Sequence, residues 1–228
     1  MILTHRINSL NLEGGGDTPV PYGYKELLYI MPDCDENSVR YNEAAYTDLG
    51  PNRNDTKWEI SFIDFSVVKQ WYINNNIGTA STSILSLSNG ETRRIECKYS
   101  SGSLNLSYFA QGYSSGSSTP IQDGIYSMTI DGVNAKLNDS IILNNGGGTI
   151  SSGLASYTYP LGNGTDIPPI KVGKIKIYDV QDTLLQDWRP VEKLNGGDNR
   201  FGFYDVVNNV FKASVRAGRY LIPGPEKT

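Results

Sequence analysis

The stretch Ile125-Tyr126-Ser127-Met128-Thr129-Ile130-Asp131-Gly132-Val133-Asn134-Ala135-Lys136-Leu137 decides the fold. Two runs that alternate apolar and polar residues flank an Asp-Gly dipeptide, and a strand sends successive side chains to opposite faces. Asp131-Gly132 favours a type I′ turn, in which both central residues take positive φ, so the stretch predicts a tight β-hairpin. The same grammar recurs on either side. Asn89-Gly90 separates Ile84-Leu85-Ser86-Leu87 from Arg94-Ile95-Glu96-Cys97, and Trp58-Glu59-Ile60-Ser61-Phe62 carries its apolar residues at even positions. Further strands are expected at 104–110, 140–143, 172–178, 201–206 and 210–213, with Asn208-Asn209 as another tight turn. The Ser/Gly/Asn-rich segments 100–103, 114–118 and 144–153 read as exposed loops. A sustained 3.6-residue period is almost absent. About ten to twelve short strands at this spacing predict an all-β antiparallel sandwich or jelly roll.

Composition agrees with strands and excludes several chemistries. The 228 residues suit one domain with its own core, and Gly 24, Pro 11 and Tyr 15 against Phe 6 favour strands and turns. A formal charge of −4 leaves no basic footprint for nucleic acid. One histidine cannot build a His-rich zinc site and two cysteines cannot complete a Cys₄ or Cys₃His one, so no structural zinc site is expected. No run of about 18 apolar residues is present to cross a membrane, and the first residues lack the apolar core of a secretory leader. Synthesis in a cytoplasm is therefore expected, with Cys34 and Cys97 as reduced thiols rather than a bridge.

Residues 1–21 read as an attachment arm and linker ahead of a sandwich domain at 22–228. Ile2, Leu3, Ile7, Leu10 and Leu12 supply a short apolar segment, followed by Gly14-Gly15-Gly16 and the stop Pro19-Val20-Pro21. The competing reading is a first strand of the domain itself.

The carboxy-terminal pattern carries a resemblance. It comprises Lys174-Ile175-Lys176-Ile177-Tyr178-Asp179, Leu184-Leu185-Gln186-Asp187-Trp188-Arg189-Pro190-Val191, Gly202-Phe203-Tyr204-Asp205 with Val210-Phe211, and Ala217-Gly218-Arg219-Tyr220. It resembles the closing part of concanavalin A-like, laminin-G-like jelly-roll modules, frequent in bacteriophage structural proteins and in proteins of gut bacteria. Tyr24-Lys25-Glu26-Leu27-Leu28-Tyr29-Ile30 resembles the opening strand of such modules, so the likeness spans about residues 22–222. The sequence departs from the pattern at 31–42, an acidic insertion containing Cys34. The residues themselves read as fold-keeping: Gly202 for close backbone approach, Tyr204 and Phe211 as a cross-strand pair, Asp205 as a turn cap and Trp188 as core.

Catalysis finds no apparatus in this pattern. Sandwich glucanases need carboxylates at alternating strand positions, whereas the positions two and four beyond Glu59 are Ser61 and Ile63, and Asp64 has the opposite parity on a regular strand. His5, the sole histidine, lies in the arm, so no nucleophilic triad is expected. Gly146-Gly147-Gly148 lacks the Lys-Ser/Thr of a phosphate loop. Asp131, Asn134, Asn138 and Asp139 can offer oxygens to calcium, but turn chemistry explains them better, and no cofactor is expected. Glycan binding stays open, because rings beside Asn and Asp suit a sugar face and its hydroxyls. Trp71 and Tyr72 beside Asn74-Asn75-Asn76 form one such cluster, and Tyr157 with Tyr159 the other; core packing is the competing reading for each.

Together these readings predict a non-enzymatic bacteriophage virion protein, a surface-displayed fibre or decoration protein, head fibre rather than tail fibre. The arm would hold it to other virion proteins, as a homo-oligomer, trimer before dimer. The alternative is a soluble or cell-associated carbohydrate-binding module of a gut bacterium.

Overall fold

The computed structural model describes residues 18–34, 47–53, 55–88, 93–110, 118–143, 150, 153–161, 167–215 and 218–228. The chain forms β1 (Tyr24–Glu26), β2 (Ile30–Met31), β3 (Asn52–Arg53) and β4 (Lys57–Asp64), a short helix α1 (Val68–Asn74), then β5 (Thr79–Ser88), β6 (Arg93–Ser100), β7 (Ser103–Ala110) and β8 (Thr119–Ile121). It continues through β9 (Ile125–Asp131), β10 (Asn134–Leu137), β11 (Ile141–Leu143), β12 (Leu154–Ala155), β13 (Tyr157–Tyr159), β14 (Lys171–Val172), β15 (Ile175–Tyr178), β16 (Leu184–Lys193), β17 (Phe201–Asp205), β18 (Val210–Ala213) and β19 (Ile222–Pro223). The larger sheet has the order β11-β10-β9-β4-β15-β16-β17-β18, with β1, β2, β14 and β19 attached beside it. The smaller sheet runs β13-β5-β6-β7-β8. Every pairing is antiparallel.

One core lies between the sheets, which makes the body sandwich-like. Trp58, Ile60, Met128, Ile130, Ile175, Ile177, Trp188 and Phe203 from the larger sheet join Ile84, Ile95, Leu104, Leu106 and Tyr108 from the smaller. Each fully buried aliphatic of this kind stabilises the fold by about 1.5–3 kcal/mol. Polar clasps then fix how the sheets meet. The buried Arg93 donates from Nε to the Tyr108 hydroxyl at 2.9 Å and from Nη1 to the Thr56 carbonyl at 2.7 Å. Tyr108 in turn donates to the Gly132 carbonyl, in the β9–β10 turn, at 2.7 Å. Along one side, Thr119 Oγ1 donates to the Ile142 carbonyl at 3.2 Å. Along the other, Thr47 bridges Ser214, while Asp48 Oδ1 accepts from the Thr158 amide at 3.0 Å. Edge strands that would expose unpaired backbone are thus tied across the sheets.

The decisive hairpin forms, with its turn one residue later than expected. Asp131 pairs with Asn134, so the central residues are Gly132 and Val133, and of these only Gly132 has positive φ, at 54°. Gly at the first central position fits type II′ rather than I′. The β6–β7 connection, expected to be an exposed loop, is instead a two-residue turn: Ser100 pairs with Ser103, and Ser101 and Gly102 have φ of 50° and 77°. Asn208-Asn209 belongs to a longer turn, since Asp205 pairs with Val210 across four residues. The strand expected at 172–178 is broken at Gly173, where a Cβ would stand 2.6 Å from Phe62 Cβ and 3.1 Å from the Leu28 carbonyl. Asn89-Gly90, nearly all of the expected loops at 114–118 and 144–153, and the arm residues Ile2, Leu3, Ile7, Leu10 and Leu12 lie outside the described residues.

Strand β4 contains a bulge between Ile60 and Ile63. Trp58, Ile60 and Ile63 all point into the core, so the alternation reverses, and Asp64 falls on the same side as Glu59 rather than the opposite one. Asp64 is nevertheless committed. Its Oδ2 accepts from Lys171 Nζ at 2.7 Å and its Oδ1 from the Ser66 amide at 2.8 Å. Burial raises its pKa, but the hydrogen bonds from Lys171 and Ser66 outweigh burial and hold the carboxyl below its usual range. A folded-state value below the unfolded one stabilises the fold above the ordinary carboxylate range, and that contribution is lost as pH falls through the folded value. Asp64→Asn is expected to cost about 1.5–3 kcal/mol near neutrality. It should also flatten the acid limb of the stability curve below about pH 4, as read by urea unfolding at several pH values. An acid limb as steep as that of the wild type would contradict this.

The closing pattern is structural, as its residues suggested. Tyr204 lies directly opposite Phe211, and the Tyr24 ring packs 4.6 Å from Tyr204 and 5.7 Å from Phe211. Asp205 Oδ1 accepts from the Val207 amide and Oδ2 from Asn208 Nδ2, which closes the turn. Cys34 and Cys97 are both buried and in no disulfide; Cys34 Sγ donates to the Ile167 carbonyl at 3.6 Å, and burial pushes the Cys97 thiol up to about 12.

Candidate functional site

A sandwich buries one face of each sheet and leaves the other for solvent or ligand. On the larger sheet Trp58, Ile130 and Ile177 turn inward, so their neighbours Glu59, Thr129 and Lys176 turn outward. The ladder sets these in a row across four strands: Lys136 opposite Thr129, Thr129 opposite Glu59, Glu59 opposite Lys176. A parallel row places Asn134 opposite Asp131 and Tyr178 opposite Lys57. The outward positions here are polar almost throughout.

This face is grooved. A cleft of about 330 Å³ lies over Ser61, Ser127 and Thr129, between Asp139 on one side and Lys174 and Lys176 on the other. A second, of about 400 Å³, is bounded by Asp131, Asn134, Lys136 and Ile142. Both are lined by Thr129 and Asp139, so the two clefts adjoin and together groove the face across the strands. The wall that carries Asp139 is pinned. Asn138 and Asp139 take φ of 47° and 57°, and Asn138 Oδ1 accepts from the Ser127 amide at 2.8 Å.

Glu59, the carboxylate nearest a catalytic position in the sequence, is internally engaged. Its Oε2 accepts from the Tyr178 hydroxyl at 2.9 Å, and its Oε1 lies 3.3 Å from Lys57 Nζ. Lys57 also donates to Asp182 Oδ1 at 3.1 Å, and that bond, more than Glu59, raises the ammonium's pKa against burial. Burial, reinforced by Glu59, pushes Tyr178 up to about 12, so the phenol keeps its proton and remains a donor. Beyond Asp131 a smaller cleft of about 260 Å³ gathers Asp55, Asp131, Asp179 and Asp182 around Lys57. Asp179 there is occupied by its own turn, accepting from the amides of Gln181 and Thr183. Among the described residues no group of three or more His, Cys, Asp or Glu side chains is placed to hold a metal ion.

The aromatic candidates separate. Trp71 and Tyr72 are fully buried, on the core side of α1, and so offer no face to a sugar. Tyr72 stacks on Tyr99 at 5.3 Å and meets Trp71 edge-on at 5.1 Å. Two of the asparagines beside them finish the helix: Asn75 Nδ2 donates to the Trp71 carbonyl, and Asn76 takes φ of 54°. The other pair differs. Tyr157 is 48% exposed and Tyr159 9%, with rings parallel within 9° and 5.9 Å apart. They sit on β13, at the edge of the smaller sheet, whereas the groove lies on the larger one.

Glu59, Asp131, Asn134 and Asp139 stand out in the sequence one at a time, as carboxylate or calcium candidates, but the groove they share does not, because its floor is the polar half of the decisive hairpin. Ser127, Thr129 and Lys136 read as the solvent side of strands, and only the register of β9 against β4 and β10 assembles them with Glu59. Fold and face together define an antiparallel, sandwich-like β protein with a polar groove across its larger sheet. No family model, curated protein or solved structure matches the chain.

Proposed function

We propose that this chain is a non-catalytic bacteriophage virion protein, a lectin-like jelly-roll module displayed on the particle surface and adhesive to glycans. Its amino-terminal arm holds it to other virion proteins, as a head fibre or decoration protein and a homo-oligomer, a trimer before a dimer. The observation that carries the adhesive part is the open groove, whose hydroxyl, amide and charged groups stand on paired strands. Preorganised polar groups on a rigid sheet are what a polyhydroxylated ligand requires. The virion part rests on the likeness of the closing pattern to phage modules and on the apolar arm ahead of a Gly/Pro linker.

A soluble or cell-associated carbohydrate-binding module is the second reading, favoured by the half-exposed Tyr157 ring stacked on Tyr159. Two measurements decide. On a broad glycan array the full chain should bind, with micromolar to millimolar affinity in solution, and blank arrays would sink adhesion in both readings. In phage particles, full chains carrying Ile7→Asp and Leu10→Asp should stay folded yet fail to co-sediment with the particle. Co-sedimentation at the wild-type level would remove the arm from the account and leave the module reading.

A further inference from the structure

We infer that the groove takes an electrically neutral, polyhydroxylated chain, an oligosaccharide without carboxylate or sulfate groups, laid across β10, β9, β4 and β15. The inference rests on the glycan-adhesion reading and names its ligand class. Charge is the first ground. The lining carries Lys136, Lys174 and Lys176 against Glu59, Asp131 and Asp139, three charges of each sign, and the ladder sets Lys176 opposite Glu59. An anionic sugar reaching Lys176 therefore meets the Glu59 carboxylate on the neighbouring strand, and like charges brought together at a protein surface repel. A cationic ligand meets the lysines in the same way. Hydroxyl groups escape both penalties, because each donates to a carboxylate and accepts from an ammonium.

Fixed geometry is the second ground. Glu59 already receives Tyr178 and Lys57, and Asn138 locks the turn behind Asp139, so these walls stay in place without a counter-ion from the ligand. Thr129, shared by both clefts, and Asn134, at the far side of the second, stand where a chain crossing the strands would run. From β10 to β15 is three strand spacings, about 14 Å, more than one sugar ring. Ile142, 62% exposed at the end of the groove, offers an apolar contact for the carbon face of a ring.

The test is calorimetric titration of the full chain with neutral tetrasaccharides in gluco, manno and galacto configuration, and with uronate and sulfated tetrasaccharides, in low and high salt. At least one neutral probe should bind, with affinity changing less than about twofold between the salts, as expected when no net charge is neutralised. The acidic probes should bind more weakly. Thr129→Val and Asn134→Ala, both outward-facing, should each weaken binding about three- to tenfold at unchanged melting temperature. Preference for an acidic probe, or affinity that falls steeply with salt, overturns the inference and leaves adhesion standing. Neutral binding lost in Tyr157→Ala but kept in both groove variants does the same. Absence of binding to every probe, with a blank glycan array, overturns adhesion and this inference together.

Discussion

Replacing Arg189 by Met is expected to cost the fold about 3–5 kcal/mol, the loss typical of breaking a buried ion pair from one side. Arg189 is fully buried on β16, and its Nε and Nη2 each meet an Asp187 oxygen at 2.7 Å. Its Nη1 also reaches Glu26 Oε1, on β1, at 3.3 Å. Removing the guanidinium leaves the 3% exposed Asp187 carboxylate in the interior with its counter-charge gone. Lysine should not rescue, since a point charge cannot reproduce the two-pronged contact. The double change Asp187→Leu with Arg189→Met should lose much less than Arg189→Met alone, because no charge is then stranded. Urea unfolding reads all three, and an Arg189→Met midpoint equal to the wild type would contradict the assignment.

Gly202→Ala should be at least as damaging, above about 4 kcal/mol, in the range reserved for a clash that cannot relax. A Cβ on Gly202 would lie 2.1 Å from the Lys212 carbonyl oxygen and 2.9 Å from the Phe211 ring. The first of these is backbone of the paired strand β18, so β17 and β18 must part or the aromatic cluster with Tyr24 must break. Gly132→Ala supplies the contrast. Nothing lies within 4 Å of its Cβ position, so only the positive φ opposes the change, at about 1–2 kcal/mol. If the two alanine variants unfold at the same denaturant concentration, close approach at Gly202 is not the cause.

The fold was legible wherever alternation and turn chemistry acted locally. Ile125 to Leu137 read as a hairpin and is one, and Gly202, Tyr204, Asp205 and Phe211 occupy the roles their types suggested. Local patterns failed where a neighbour in space decided the outcome. Val68, Trp71 and Tyr72 are spaced three and one apart, the buried stripe of a helix, but α1 has only seven residues, too few for a sustained period to stand out. In sequence, Trp71 and Tyr72 therefore read as a sugar platform beside three asparagines. The β4 bulge reversed the parity on which Asp64 was judged, and no residue type between Ile60 and Ile63 announces it. The candidate site was half legible. Tyr157 is exposed as a ring platform must be, whereas the groove depends on register between strands distant in sequence, β4, β9 and β15.

Glycan adhesion through the groove is the central claim, and amide chemical shifts test it where it lies. The full chain, isotopically labelled, would be titrated with the neutral tetrasaccharide that binds most tightly. The account predicts saturable shifts at Ser127, Thr129, Asn134, Lys136 and Asp139, with β13 unmoved. Shifts confined to Tyr157 and its neighbours, or none at saturating sugar, would contradict it.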